Sequence, residues 1–380
     1  MNLGLKSLPM ELILSCILPK LPVKSLLRFK CVSKSFLAEI SSPEFDALFP
    51  KANRLLIFPG DAETFSFSVY ELDSPHSPPT VCPYPILSSE RYAPVLTMVA
   101  YCESHILIAC RNVRPNHLIL LNPTTHIHRI IPTPYLNDWS GHIEYGMCHF
   151  LDEFNNDDFK IVRFSQYNDP NTDNSLREVM VYSLRTNSWK LIESEKPTTE
   201  LIRNPILVQN HLLVMTFEDC YRCLMRIGCF DIKAERWSND VLLSDILLGE
   251  IGPNPTRYCL YHLGVLEGQL RFSCYDMTKW TYSIWVMKDF GVKESWFKLM
   301  SVPGQGPEGF CHPIVYRKGS LHELFCMPDY KGKYLWYNLR DKQFTETGLD
   351  GYGLNRNLWG FAFIYKESML NFPRGGGGQC

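Results

Sequence analysis

Three groups of residues have types and spacings that could carry chemistry. Cys220-x-x-Cys223, with Cys229 close behind, has half the spacing of a tetrahedral zinc site, in which thiolates from two such pairs enclose the ion. No second pair stands at the required distance, so apolar thiols in paired strands are expected instead. His126 and His128 would project from one face of a strand and offer two imidazoles, yet no third ligand accompanies them. Gly304-x-Gly306-x-x-Gly309 has the letters of a dinucleotide-binding turn. Such a turn needs a helix behind it to meet the pyrophosphate, and here Pro303 and Pro307 flank and interrupt the run with no helical pattern after it. A surface loop is expected. The acidic residues Asp152, Glu153, Asp157 and Asp158 read as a solvated turn rather than a catalytic carboxylate pair. Gly-x-Ser-x-Gly, a Walker loop and His-Glu-x-x-His do not occur. The chain is therefore expected to perform no bond chemistry of its own and to need no cofactor or metal.

A length of 380 residues, with 45% apolar and 21% charged residues, suits a globular protein with room for more than one domain. A formal net charge of −2 supplies no global basic field for nucleic acid or anionic lipid. Leu12, Ile13 and Leu14 lie among Pro9, Glu11, Pro19 and Lys20, which leaves no apolar core for a secretory signal. No run of 18 apolar residues offers a membrane span. The 14 cysteines, among them Cys102, Cys110, Cys229 and Cys274, sit in strand-like apolar runs, as buried free thiols do. A reducing compartment follows, the cytoplasm first and the nucleus as an alternative.

The first 45 residues are helical in pattern. Pro9 suits the first turn of a helix, and Leu12, Ile13, Leu14, Ile17 and Leu18 follow before Pro19 and Pro22 stop it. A second helix fits Val23 to Phe29, and a third fits Ser33 to Ile40, ended by Ser42-Pro43. A unit this small is near the lower limit for a core of its own. Yet its apolar residues, from Leu8 through Leu21 to Val32, cover nearly every helical face, more than a small bundle can bury. The surplus requires a partner.

These residues also carry a resemblance. Leu8-Pro9-x-Glu11, Ile17-Leu18, the run from Leu21 to Lys30, Val32-Ser33-Lys34 and Ser41-Ser42-Pro43-x-Phe45 are similar to the plant F-box motif. The resemblance implies docking on a Skp-type adaptor and, through it, on a cullin scaffold with its ubiquitin-charged enzyme. It places the adaptor contacts at Leu8, Pro9, Ile13, Pro22, Leu26, Leu27, Val32 and Ser33. The family usually has Trp where this chain has Phe36, which keeps the apolar ring and gives up an indole N–H.

From about Arg54 the pattern changes to short apolar runs with period-two stretches, broken by Gly, Asn, Asp and Pro. One element recurs: an aromatic, a polar turn, and a second aromatic seven residues on, at Tyr182 to Trp189, Phe230 to Trp237 and Tyr337 to Phe344. A lengthened copy runs from Ile284 to Trp296 and a degenerate one from Leu120 to Ile130. Upstream lie second hairpins turning around Ser104, Asn210, Gly268 and Gly319. Two hairpins per unit, repeating at roughly 50 to 60 residues, predict a β-propeller of Kelch-like size. Five units are countable, and strands near Leu55 to Tyr70 and Trp359 to Tyr365 supply a sixth across the chain ends. The hairpin aromatics are expected to pack between blades.

The same region resembles the F-box-associated domain of plant F-box/Kelch-type proteins, in Leu121-Asn122-Pro123-Thr124-Thr125, Asn187-Ser188-Trp189-Lys190 and the run Ile284 to Trp296. Two branches of that family fit: S-locus F-box proteins, which recognise non-self ribonucleases in self-incompatibility, and members that limit immune receptors. The implied organisation is an F-box at 1–45, a junction at 46–53, an all-β substrate-binding domain at 54–367 and a flexible tail at 368–380. The implied function is that of a non-catalytic substrate receptor in a ubiquitin ligase, which raises the effective concentration of a protein client's lysines near ubiquitin. Client contacts are expected from loops at 135–144, 165–176, 250–257 and 303–312, with Tyr135 and Trp139 as aromatic contacts. A non-degradative Kelch-type scaffold and a sugar-binding or oxidase-like propeller are the alternatives from other classes.

Overall fold

The computed structural model describes residues 8–50, 52–57, 66–72, 79–83, 95–102, 104–111, 117–134, 142–151, 157–168, 175–192, 203–217, 225–251, 259–276, 278–303, 313–326, 333–350, 362–370 and 372. Cys220, Cys223, Tyr135, Trp139, the glycines from 304 to 309 and the segment 373–380 lie outside them.

The helical pattern forms a small N-terminal unit. Helix α1 (Met10–Leu12) starts behind Pro9 and continues as a wider turn over Ile13–Ile17 and a tighter one over Leu18–Lys20. Pro22 then opens α2 (Val23–Lys30), and the Ser33 hydroxyl accepts the Phe36 N–H at 3.1 Å to cap α3 (Lys34–Ile40). Pro43 does not end the helical unit but begins a further helix, α4 (Pro43–Leu48). The reason is local: proline is favoured at a first helical position, and Ser42 caps it by accepting the Phe45 N–H at 3.1 Å.

Twenty-four strands follow among the described residues. The first three are β1 (Asn53–Ile57), β2 (Ser66–Glu71) and β3 (Thr80–Pro83). The second blade holds β4 (Val95–Cys102), β5 (His105–Arg111), β6 (His117–Leu121) and β7 (His128–Pro132). The third holds β8 (His142–Leu151), β9 (Asp157–Asn168), β10 (Ser175–Ser183) and β11 (Ser188–Ile192). The fourth holds β12 (Arg203–Val208), β13 (His211–Phe217), β14 (Met225–Asp231) and β15 (Arg236–Val241), with helix α5 (Asp245–Ile251) after it. The fifth holds β16 (Cys259–Leu266), β17 (Gln269–Asp276), β18 (Thr281–Met287) and β19 (Trp296–Pro303). The sixth holds β20 (Pro313–Tyr316), β21 (Glu323–Cys326), β22 (Lys333–Asn338) and β23 (Gln343–Asp350). The last strand, β24 (Ala362–Lys366), pairs antiparallel with β1 and completes the first blade in the order β24-β1-β2-β3. The result is a six-bladed β-propeller closed by both chain ends, as the sequence pattern predicts.

The recurring aromatic pairs face each other directly across the outer hairpins. Tyr182 pairs with Trp189, Phe230 with Trp237 and Tyr337 with Phe344, with ring centroids 5.2, 5.4 and 4.7 Å apart. Each of these hairpins closes with a left-handed residue in the same place, Asn187, Glu235 or Lys342. His126 occupies that place in the second blade, so it stands in the turn while His128 opens β7; both are exposed and they do not share a strand face. The inner hairpins at Gln209-Asn210 and Glu267-Gly268 have two positive-φ residues, the geometry that matches strand twist.

Six apolar clusters fill the six seams between blades. Leu55 packs towards the sixth blade and Leu56 towards the second; Ile161 and Val162 divide likewise between the second and fourth. Period two therefore separates one seam from the next, because the inner strands are covered on both faces. Alternation with solvent survives only on outer strands such as β7 and β11. Cys82, Cys102, Cys148, Cys229, Cys274 and Cys326 are buried. Asp158, expected in a solvated turn, is buried in β9, where its carboxylate accepts the Ser183 hydroxyl at 2.7 Å and the Arg185 N–H at 3.1 Å. It satisfies the turn of its own blade, which no local signal in the acidic run reveals.

A close approach between the third and fourth blades tests this packing. A Cβ at Gly146 in β8 would lie 2.6 Å from the Leu212 side chain of the fourth blade. Gly146→Ala should lower stability by about 1–3 kcal/mol through overpacking, read as a shift in the denaturant midpoint at unchanged slope.

Candidate functional site: the helical unit and its joint with the propeller

The core of the helical unit is built from Leu18, Leu26, Ile40, Phe45 and Phe49, all buried. Among the described residues this cluster takes one member from elsewhere, Met369, fully buried three residues after β24. Phe29 and Phe36 pack beside it with ring centroids 5.8 Å apart, so Phe36 fills its place as an apolar ring. Burying a side chain such as Met369 contributes about 1.5–3 kcal/mol, a large share for a unit of this size.

The backbone around Met369 is held by two opposite charges. Asp46 on α4 accepts the Met369 N–H and the Ser368 hydroxyl, both at 2.7 Å. Lys30 at the end of α2 donates to the Met369 carbonyl at 2.9 Å. Hydrogen bonds to ionised groups are stronger than neutral ones, and here both backbone polar groups of one buried residue are satisfied. Burial pushes the Lys30 amine down to about 8, and the neighbouring Asp46 charge opposes that shift without overcoming it. Ser368 and Met369, assigned by pattern to a flexible tail, are thus buried parts of the joint.

With the core complete, apolar surface remains outside. Seven of the nineteen exposed large apolar side chains among the described residues fall in this short unit: Leu8, Met10, Leu12, Ile17, Val32, Leu37 and Leu48. Leu8 and Val32 are 59% and 66% exposed, and Pro9 and Pro22 are exposed as well. Ile13 and Leu27 are half-buried. Leu26 lies wholly inside, and the Ser33 hydroxyl serves as the α3 cap. Met10, Leu12, Ile17, Leu37 and Leu48 are exposed as well, although the motif places no adaptor contact at them. Their signal is being on the far side of helices whose near side holds Leu18, Leu26 and Ile40.

Residues 80–370 match the F-box associated beta propeller domain family. The chain belongs to that family. It is similar to the F-box protein CPR1 of Arabidopsis thaliana, 26% identical over 375 residues that cover 89% of this chain and 84% of that protein. It is also similar to the Arabidopsis thaliana F-box/kelch-repeat protein At3g23880, 25% identical over 367 residues that cover 89% of each. This chain is a plant F-box protein with an F-box-associated propeller, and its helical unit occupies the F-box position.

Propeller topology places the F-box on a definite face. The turns between first and second strands, and between third and fourth, share one face, and β24 ends and β1 begins there. The F-box enters from that face. The strand ends flanking 135–141, 304–312 and the other connections between blades lie on the opposite one. No helix among the described residues is long and apolar enough to cross a membrane.

The joint carries a pH dependence of definite sign. The Lys30 amine falls from 10.5 to about 8 in the folded chain. Below pH 8 both states hold the proton, and the desolvation cost is present in full. Between about pH 8 and 10.5 the unfolded chain binds more protons, so this residue's contribution to stability rises with pH. The stability difference between the natural chain and Lys30→Met should shift in favour of the natural chain across that window, in denaturation series at fixed ionic strength.

Proposed function

We propose that this protein is the substrate receptor of a Skp–cullin–F-box ubiquitin ligase, docking a Skp-type adaptor by its F-box and holding a protein client on the propeller for ubiquitination. The observation that carries the reading is the apolar surface left on the F-box after its own core is filled. Exposed apolar surface of this density is covered by a partner in stable proteins. Leu8, Pro9, Pro22 and Val32 are the accessible adaptor contacts, with Ile13 and Leu27 at the margin. Leu26 supports them from beneath, and Ser33 holds the start of α3.

The client is assigned to the propeller face opposite the F-box, where the connections between blades gather. Among the described residues, Trp280 in the turn between β17 and β18 suits such a contact. It is 39% exposed and held at a φ of +50°. Asp276 fixes that turn by accepting from the Thr278 N–H at 2.8 Å, its hydroxyl at 2.6 Å and the Lys279 N–H at 3.1 Å. A tryptophan on a preformed turn costs little ordering entropy when a partner covers it. The receptor contributes proximity, while bond making belongs to the enzyme recruited through the cullin.

Mixing the purified full chain with a Skp-type adaptor tests the reading. Leu8→Ala combined with Val32→Ala should weaken the complex by about tenfold or more, since truncating a central apolar contact costs upwards of about 1 kcal/mol. The propeller's unfolding midpoint should stay unchanged, because both side chains lie outside the core. Equal adaptor affinity in the variant, or no complex with the natural chain, would sink the proposal.

A further inference from the structure

The segment after β24 touches more than the F-box. On the propeller side, Asn122 in the turn between β6 and β7 donates through its amide to the carbonyls of Ser368 and Leu370, both at 3.1 Å. The same side chain accepts the Thr124 N–H at 2.9 Å through its other atom, so the turn that holds the segment is itself locked. Thr124 takes the Ser368 N–H at 3.3 Å on its hydroxyl. Further along, Phe372 reaches the seam of the second and third blades, its ring 5.1 Å from His105 and 6.1 Å from Phe159. At its start, Glu367 pairs with Arg54 at 2.9 Å and donates its N–H to the Ala52 carbonyl at 3.1 Å.

From this geometry we infer that residues 367–370, with Phe372 beyond them, form a strut that locks the F-box to the propeller in one orientation, with Asp46 and Asn122 as positioning residues on its two sides. Ser368 shows why one strand of chain suffices. Its hydroxyl goes to Asp46 of the F-box, its N–H to Thr124 of the propeller and its carbonyl to Asn122. A single buried residue therefore bonds to both bodies at once, and neither can turn without breaking a bond to it. The covalent connection from Phe49 to Ala52 is short, but a chain link alone permits rotation about its φ and ψ angles. The strut removes that freedom. The inference concerns the joint and holds whatever the F-box or the propeller binds.

Distance measurement between spin labels on the full chain tests it, with unnatural amino acids carrying the labels at the exposed positions Glu39 and Lys233. The natural chain should give one narrow distance distribution. Asp46→Ala should broaden it, and amide exchange of the peptide spanning 367–370 should rise by about tenfold or more, as expected for losing hydrogen bonds to a charged acceptor. Asn122→Ala should broaden the same distribution while leaving the F-box sequence untouched and its helical signal unchanged, which a purely stabilising role would not produce. If Asp46→Ala does not fold, Asn122→Ala decides alone. A distribution that stays narrow in Asn122→Ala, with exchange at 367–370 unaltered, overturns the strut.

Discussion

Closure of the ring by β24 against β1 is the pairing on which the rest of the structure depends. The register runs from Asn53 opposite Lys366 to Ile57 opposite Ala362. Bringing together ends separated by roughly 300 residues costs about 5 kcal/mol of loop entropy. Closure completes the seam with the sixth blade, where Leu55 and Leu72 are buried with Val315, Phe325, Tyr334 and Leu349. A ring left open would also present two inner-strand edges for association with other chains.

Closure dictates where everything else lies. Since the first blade takes its inner strand from the C-terminal end and its other three from the N-terminal end, both chain ends leave through the same face. The F-box precedes β1 and the strut follows β24, so they meet without any long connection. The opposite face is then left to the connections between blades. One topological choice separates the face that carries the helical unit from the face of the blade connections, and Lys30 and Asp46 hold that unit to the segment after β24.

Much of this was legible in the sequence because it is written in local patterns. The aromatic pairs seven residues apart became cross-strand neighbours, and the hairpin turns fell at Asn210 and Gly268 as their residue types demand. What escaped has long sequence separation or depends on which side of a helix faces inward. Asp46 and Ser368 are 322 positions apart, and a carboxylate on a short helix looks like any solvated one until its partner arrives. Leu26 and Val32 are both apolar, yet one is interior and the other exposed, and a unit apolar on nearly every face gives no pattern to tell them apart. Asp158 disappeared into an acidic run for the same reason, since its partners Ser183 and Arg185 belong to another hairpin.

The place of Met369 in the F-box core also bears on how the protein is made. Chains leave the ribosome N-terminus first, at about 5–20 residues per second. The F-box helices therefore emerge about 15–60 s before the residue that completes their core. Met369 can reach that core only after β24, which precedes it, has been synthesised. A chain cut before Met369 thus carries an F-box core short of one buried side chain. Completion of the F-box core is in this way coupled to synthesis of the propeller that separates its two parts in the sequence.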